Sequence, residues 1–226
     1  MKHWKFTFIV LICCMLFAGM LSSCDKDYSV ENGFPIDYGD TSLLCKSCIY
    51  LPWCDSSVYH YIDSSVGSTA NKTITLRTSA DTIISGITYS ASTLNANRVY
   101  YRCANGTSTT LQYNNAGVAL INIPLQANQP TGFTWQCIQP GSGTNNIYDY
   151  KIVAKSINRQ VLGREFTDVI WVHQQLSANF PLFGNVVVSE TDLYYAKGIG
   201  LIESITIDNS TGNVALHRVL QQYDVP

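Results

Sequence analysis

Charge is scarce in this sequence. Asp, Glu, Lys and Arg make up 13% of its 226 residues, 14 basic against 16 acidic, for a net charge of −2. That balance leaves no basic footprint for nucleic acid or for anionic phospholipid. Histidine is as sparse, with four in the whole chain. No Gly-x-Ser-x-Gly elbow, His-Glu-x-x-His pair or phosphate loop occurs, which removes the chemistries those motifs carry. Helical periodicity is nearly missing too, and there is no internal repeat and no low-complexity stretch.

What is present begins at the N-terminus. Lys2 and Lys5 precede a run without charge from Phe6 to Ser23, the layout of a secretory signal. The run is short for a membrane span, which needs about 20 apolar residues. It ends in Leu21-Ser22-Ser23-Cys24, which resembles the lipobox of bacterial lipoproteins. The resemblance implies cleavage after residue 23 and diacylation of Cys24, each buried methylene contributing about 0.8 kcal/mol to membrane attachment. Asp25, Asp27, Glu31, Asp37 and Asp40 follow, with Gly33, Pro35 and Gly39 and no period. This predicts a flexible acidic tether. The start "CDKD" resembles that of Bacteroidota lipoproteins, which implies an outer-membrane protein of the cell envelope, facing either the periplasm or the cell surface. The expected organisation is a signal at 1–23, lipidated cysteine and tether at 24–44, and one folded domain at 45–226.

That domain reads as strands. Short β-branched and aromatic runs recur between turn residues: 58–62, 73–78, 86–90, 98–103, 108–113, 118–123, 133–138, 147–157, 164–173, 192–196, 201–207 and 214–223. Ser85-Gly86, Asn105-Gly106 and Leu162-Gly163 punctuate them, and Asn-Gly is a tight-hairpin signal because both residues take positive φ. The longest run shows its faces. Tyr148, Tyr150, Ile152 and Ala154 point one way and Asp149, Lys151 and Lys155 the other, with Val153 out of pattern. One packed and one wet face suit an antiparallel sheet. The prediction is an all-β fold, a single antiparallel meander of about 10–12 strands, curled as a half-barrel, barrel or sandwich. A short helix between Gln174 and Phe180 would cap it. Gly198 and Gly200 would bend one strand into the next.

"DTIISGITY" (81–89), "RVYYRC" (98–103), "FTDVIWV" (166–172) and "YYAKGIGLIES" (194–204) occur in that order. Together they resemble uncharacterised Bacteroidota envelope lipoproteins. "YYAKGIGLI" is similar to the closing strands of periplasmic half-barrels of lipoprotein-carrier shape. These motifs imply a fold and transfer no catalytic residue.

Candidate chemistry is thin. Beyond the signal the histidines are His60, His173 and His217. Asp168 and His173, five apart on one strand, fall on opposite faces and pair only through a bulge. Glu165, Asp168, Glu190, Asp192 and Glu203 are the carboxylates from which a glycan hydrolase would draw its two. Trp53, Trp135, Trp171 and many of the 14 tyrosines could stack on sugars or lipids, but such residues also fill thin strand cores. Asp81-Thr82-Ile83 resembles the O-glycosylation site of Bacteroidota.

Cysteine is the remaining signal. With the signal and anchor set aside, Cys45, Cys48, Cys54, Cys103 and Cys137 remain, three of them in "CKSCIYLPWC". The Cys-x2-Cys-x5-Cys spacing resembles iron–sulfur clamps and would need a fourth ligand such as His60. A thioredoxin-like role needs a helix that Pro52 opposes. Export to an oxidising space favours disulfides, here a clasp between tether and sheet, with Tyr50, Leu51 and Trp53 packed on the first strand. The preferred pairing joins Cys103 to Cys137 and places one bond inside the cluster; the other arrangement lets Cys103 or Cys137 reach the clasp. No metal or cofactor is called for and no catalytic residue is assigned. The expected role is a lipid-anchored, non-catalytic binding or structural module, with a hydrophobic small molecule or a glycan as its ligand. A carboxylate-based glycan hydrolase is the rival reading.

Overall fold

In a computed structural model the chain divides into two units, 1–37 and 38–226. The structure describes residues 48–54, 56–65, 71–94, 97–141, 144–180 and 184–225. All lie in the second unit. The signal, the tether, Cys24 and Cys45 lie outside the described residues.

Twelve strands account for most of what is described: β1 (Val58–Ser64), β2 (Lys72–Ile84), β3 (Ile87–Leu94), β4 (Asn97–Ala104), β5 (Thr107–Tyr113), β6 (Ala119–Gln126), β7 (Thr134–Pro140), β8 (Asn145–Val161), β9 (Arg164–Phe180), β10 (Gly184–Ala196), β11 (Gly200–Asp208) and β12 (Val214–Asp224). They form one antiparallel sheet in the order β6-β5-β4-β3-β2-β1-β12-β11-β10-β9-β8-β7. Each strand pairs with its neighbours in sequence except across β6 and β7, and the first and last strands zip together from Val58↔Asp224 to Ser64↔His217. The sheet curls into a nearly closed barrel with β6 and β7 as its two edges. That seam is bridged by side chains: Trp135 Nε1 donates to the Ile123 carbonyl at 2.8 Å, Gln139 Nε2 to that of Ile121 at 3.1 Å, and the Tyr150 hydroxyl to Asn122 Oδ1 at 2.7 Å.

The three dipeptide turns are tight hairpins with both residues at positive φ: 51° and 78° at Ser85-Gly86, 50° and 76° at Asn105-Gly106, 49° and 77° at Leu162-Gly163. Gly198 and Gly200, at 74° and 115°, carry the chain from β10 into β11. Val153 is out of pattern because it is an added residue: Ile152 pairs with Val172 and Ala154 with Trp171, so a bulge takes it out of the alternation.

The expected helix at Gln174–Phe180 is overturned. This stretch is the end of β9, bonded on both sides, with Gln174 opposite Tyr150 and Thr191 and Ala178 opposite Asn146 and Val186. Two flanking ladders outweigh the weak helix preference of a seven-residue segment.

Alternation sends Tyr59 and Tyr61 of β1, Ile74 and Leu76 of β2, Tyr150 and Ile152 of β8 and Tyr195 of β10 into the lumen, where all are buried. The β8–β9 hairpin is longer than its neighbours and leaves the sheet. Its register slips at Ile152/Ala154, Ala154/Ile157 and Ile157/Arg159, and Ser156 and Asp168 take φ of 54° and 52°. In a flat sheet β8 and β11 would stand about 14 Å apart, three spacings. Arg159 nonetheless reaches Glu203 of β11, and Arg164 reaches the Leu220 and Gln221 carbonyls of β12. The hairpin tip therefore folds over β10–β12.

Candidate functional site

The segment before β1 does not stay at a junction. Cys48, Tyr50, Leu51, Pro52, Trp53 and Cys54 are all buried, and they cross one end of the barrel as a plug. On one wall the Gly198 amide donates to the Ile49 carbonyl, and the Tyr50 hydroxyl donates to Asp168 Oδ1 at 2.8 Å. On the other, Ser90 Oγ donates to the Trp53 carbonyl at 3.3 Å, and Thr78 Oγ1 to that of Cys54. Tyr59 donates to the Pro52 carbonyl at 2.7 Å. Trp53 stacks on Tyr101 at 3.7 Å and meets Tyr59 edge-on at 5.8 Å.

A disulfide fastens this plug. Cys48 is bonded to Cys103 at the plug end of β4, with 5.9 Å between their Cα atoms, and Cys54 is disulfide-bonded as well. The preferred Cys103–Cys137 pairing is thereby corrected. Sheet order explains it: Cys137 sits on β7 at the barrel's edge, opposite Tyr148, while Cys103 ends a strand where the plug passes. The alternative, in which Cys103 reaches the clasp, is the arrangement found. The metal arrangement is not formed either, because Cys48 is spent on Cys103 and His60 Nδ1 meets Thr75 Oγ1 at 3.0 Å.

Above the plug the lumen holds a cavity of about 160 Å³. Leu51 and Trp53 of the plug form part of its lining, with Tyr61, Leu76, Tyr101, Tyr195 and Leu201 around it. Among the described residues its one charged lining side chain is Arg218, whose Nε and Nη2 donate to Asp63 Oδ1 and Oδ2 at 2.7 and 2.8 Å. Asp63 holds the guanidinium's pKa above its ordinary value. Burial pushes the hydroxyls of Tyr61, Tyr101 and Tyr195 well above the ordinary tyrosine range, so they remain O–H groups.

The candidate carboxylates are dispersed. Glu165 accepts from Asn158 at 3.1 Å. Asp168 accepts from Tyr50 and from Ser156 at 3.0 Å and pairs with Lys197 at 3.1 Å. Asp192 accepts from Trp171 Nε1 at 2.9 Å and faces His173 Nδ1 at 3.0 Å. Glu203 is buried between Arg159 at 2.6 Å and His217 Nε2 at 2.8 Å. Glu190 lies two residues from Asp192 on the same face of β10, opposite Gln175 and Ile207. None of the five lines any of the three clefts described. The largest of these, about 540 Å³, lies on the polar face of β7–β9 among Gln136, Asp149, Lys151, His173 and Gln175, with Trp135 and Tyr150 beside them.

Asp168 and His173 stay apart in spite of the bulge at Asp168. The sequence reading missed Arg218–Asp63 and Arg159–Glu203–His217. Their members are 155 and 44 residues apart for the two arginine pairs, and no local spacing marks them.

Neither a protein-family model nor a curated protein matches the chain. Two solved structures do. One is a candidate lipoprotein from Parabacteroides distasonis, 11% identical, with a TM-score of 0.50 over 78% of this chain and 99% of that one. The other is a candidate exported protein with a YmcC-like fold from Bacteroides fragilis, 11% identical, with a TM-score of 0.49 over 79% of this chain and 100% of that one. At this identity the first shows a shared fold and no more, and the second carries no argument.

Proposed function

We propose that the chain is an exported protein of the cell envelope, anchored to the outer membrane through acyl chains on Cys24, and that its barrel is a non-catalytic binding module with a small hydrophobic ligand in the lumen. One observation carries the binding role: the lumen cavity is walled mainly by aliphatic and aromatic side chains and, among the described residues, has no carboxylate in its lining. Apolar pockets with few polar groups are the usual form of small-molecule sites, although about 160 Å³ restricts the occupant to roughly one ring. The glycan hydrolase is the weaker reading, since its two carboxylates must flank one cleft and the candidates are held by separate partners. The groove on β7–β9 supports a second reading, a bound glycan, because its amide, carboxylate, ammonium and imidazole groups match sugar hydroxyls.

The anchoring supports come from the sequence: the apolar signal, the lipobox and the acidic start. Cys45 is the partner we assign to Cys54, which keeps one bond inside the cluster. Two experiments test the proposal. Cys24→Ser should move the protein from the membrane to the soluble fraction, and unchanged partitioning would sink the anchor. Titration calorimetry with single-ring apolar molecules should show binding that Leu94→Trp, which fills the lumen, removes. Binding unaffected by that substitution would put the ligand elsewhere.

A further inference from the structure

Two polar groups around the lumen have hydrogens to spare. Trp53 is nine-tenths buried, and its indole N–H has no acceptor among the described residues. Arg218 spends Nε and Nη2 on Asp63. A guanidinium carries five N–H donors in a planar fork, so the Nη1 edge is left over, and among the described residues nothing is bonded to it. Tyr101 and Tyr195 hold protonated hydroxyls at the same wall. Among the described residues no carboxylate and no imidazole lines the space. A ligand complementary to such a wall supplies acceptor oxygens and no ammonium group, which Arg218 would repel.

Size sets the rest. A cavity of about 160 Å³ is close to the roughly 150 Å³ apolar cavity that takes benzene. Trp53 stacked on Tyr101 gives flat walls for a ring. Resting on the reading of the lumen as a ligand site, we propose that it binds a small organic monocarboxylate, either a single-ring or a short-chain acid. Its apolar body lies against Trp53, Leu76 and Tyr195, and its carboxylate lies on the open edge of the Arg218 guanidinium. Asp63 stays paired to the other edge and fixes the fork, so the carboxylate meets a donor pair already in position.

The test titrates the full chain, held in lipid nanodiscs, with benzoate, benzyl alcohol and benzylamine. Benzoate is expected to bind at least about tenfold tighter than the alcohol, equivalent to about 1.4 kcal/mol, and the amine more weakly than either. Arg218→Gln should bring benzoate down to the level of the alcohol. Because that change leaves Asp63 without its partner, its fold is checked by circular dichroism. Leu94→Trp, which keeps the Arg218–Asp63 pair, serves as the second variant and should abolish all binding. If alcohol or amine binds as well as benzoate and Leu94→Trp removes it, the carboxylate assignment is overturned while the lumen site stands. If none of the three binds, both fall. Benzoate binding that survives Leu94→Trp overturns the assignment by placing the acid outside the lumen.

Discussion

Asp168 shows how one side chain can hold two parts of a molecule together. Its residue type and its place on a strand made it a candidate acid for glycan hydrolysis. Its backbone, at φ of 52°, and its three side-chain partners give it a different task. Tyr50 reaches it from the plug, Ser156 from β8 and Lys197 from the β10–β11 turn. The hydrogen bond from Tyr50, then that from Lys197, holds its carboxyl below the usual range, while Tyr50 itself is pushed up to about 12, by burial first and then by this bond. A carboxylate whose folded pKa is depressed contributes stability above its unfolded value, near about 3.9, and loses that contribution as pH falls through the folded value. Asp168→Asn keeps a residue tolerant of positive φ, removes the charge and replaces one acceptor oxygen with an amide donor. The variant should therefore unfold at lower urea than the wild type at neutral pH, and the gap between the two midpoints should narrow as pH falls through the folded value of Asp168. Equal gaps at neutral and acid pH would show that the charge is not what matters there.

Elements were more legible than partners. All twelve runs picked out by β-branched and aromatic content are strands, and the glycine turns between them are hairpins, because both signals are local. Lengths were less legible. The run at 147–157 extends to Asn145–Val161 and that at 164–173 to Arg164–Phe180, since polar residues such as Gln174 and Asn179 join a strand when a ladder lies on each side. The fold-over of the β8–β9 tip left a trace only in Val153, the residue that broke alternation. Arg159 marks where the tip lands. It bonds Glu203 through Nε and Nη2 and lies over the Tyr194 ring at 4.1 Å. Glu203 is 6% exposed, so removing Arg159 leaves a largely desolvated carboxylate with His217 as its remaining side-chain partner. Arg159→Met is expected to cost about 2 kcal/mol in chemical denaturation. Adding Glu203→Gln should return part of that loss, because removing both charges is cheaper than leaving one. A double variant as unstable as the sum of the two single ones would mean that the ion pair is not what secures the tip.

The barrel as a whole is closed by three devices of different strength, and the sequence alone shows none of them. The β1–β12 ladder joins residues 155 apart, such as Asp63 and Arg218. The β6–β7 seam depends on a few side-chain bonds from Trp135, Gln139 and Tyr150. The plug depends on Cys48–Cys103, which spans 55 residues. The cysteines themselves were plain in the sequence, but their pairing follows from which strand ends where the plug crosses. A crosslink over a loop of that length removes enough unfolded-state entropy to stabilise the fold by about 4 kcal/mol in the chain-entropy model. It also ties the plug to β4, so that Leu51 and Trp53 cannot leave the lumen without breaking it. Cys48→Ser with Cys103→Ser should therefore do two separable things. The denaturation midpoint should fall by an amount near that figure. Hydrogen exchange in the native state should also rise at 48–57 and along the plug-facing ends of β2–β4, while the centres of β8–β10, bonded on both sides, keep their protection. If exchange rises evenly over all the strands, the bond acts on the unfolded chain alone. The plug would then be held by Asp168, Gly198, Ser90 and Thr78 without need of the disulfide, and the lumen would stay shut in the reduced protein.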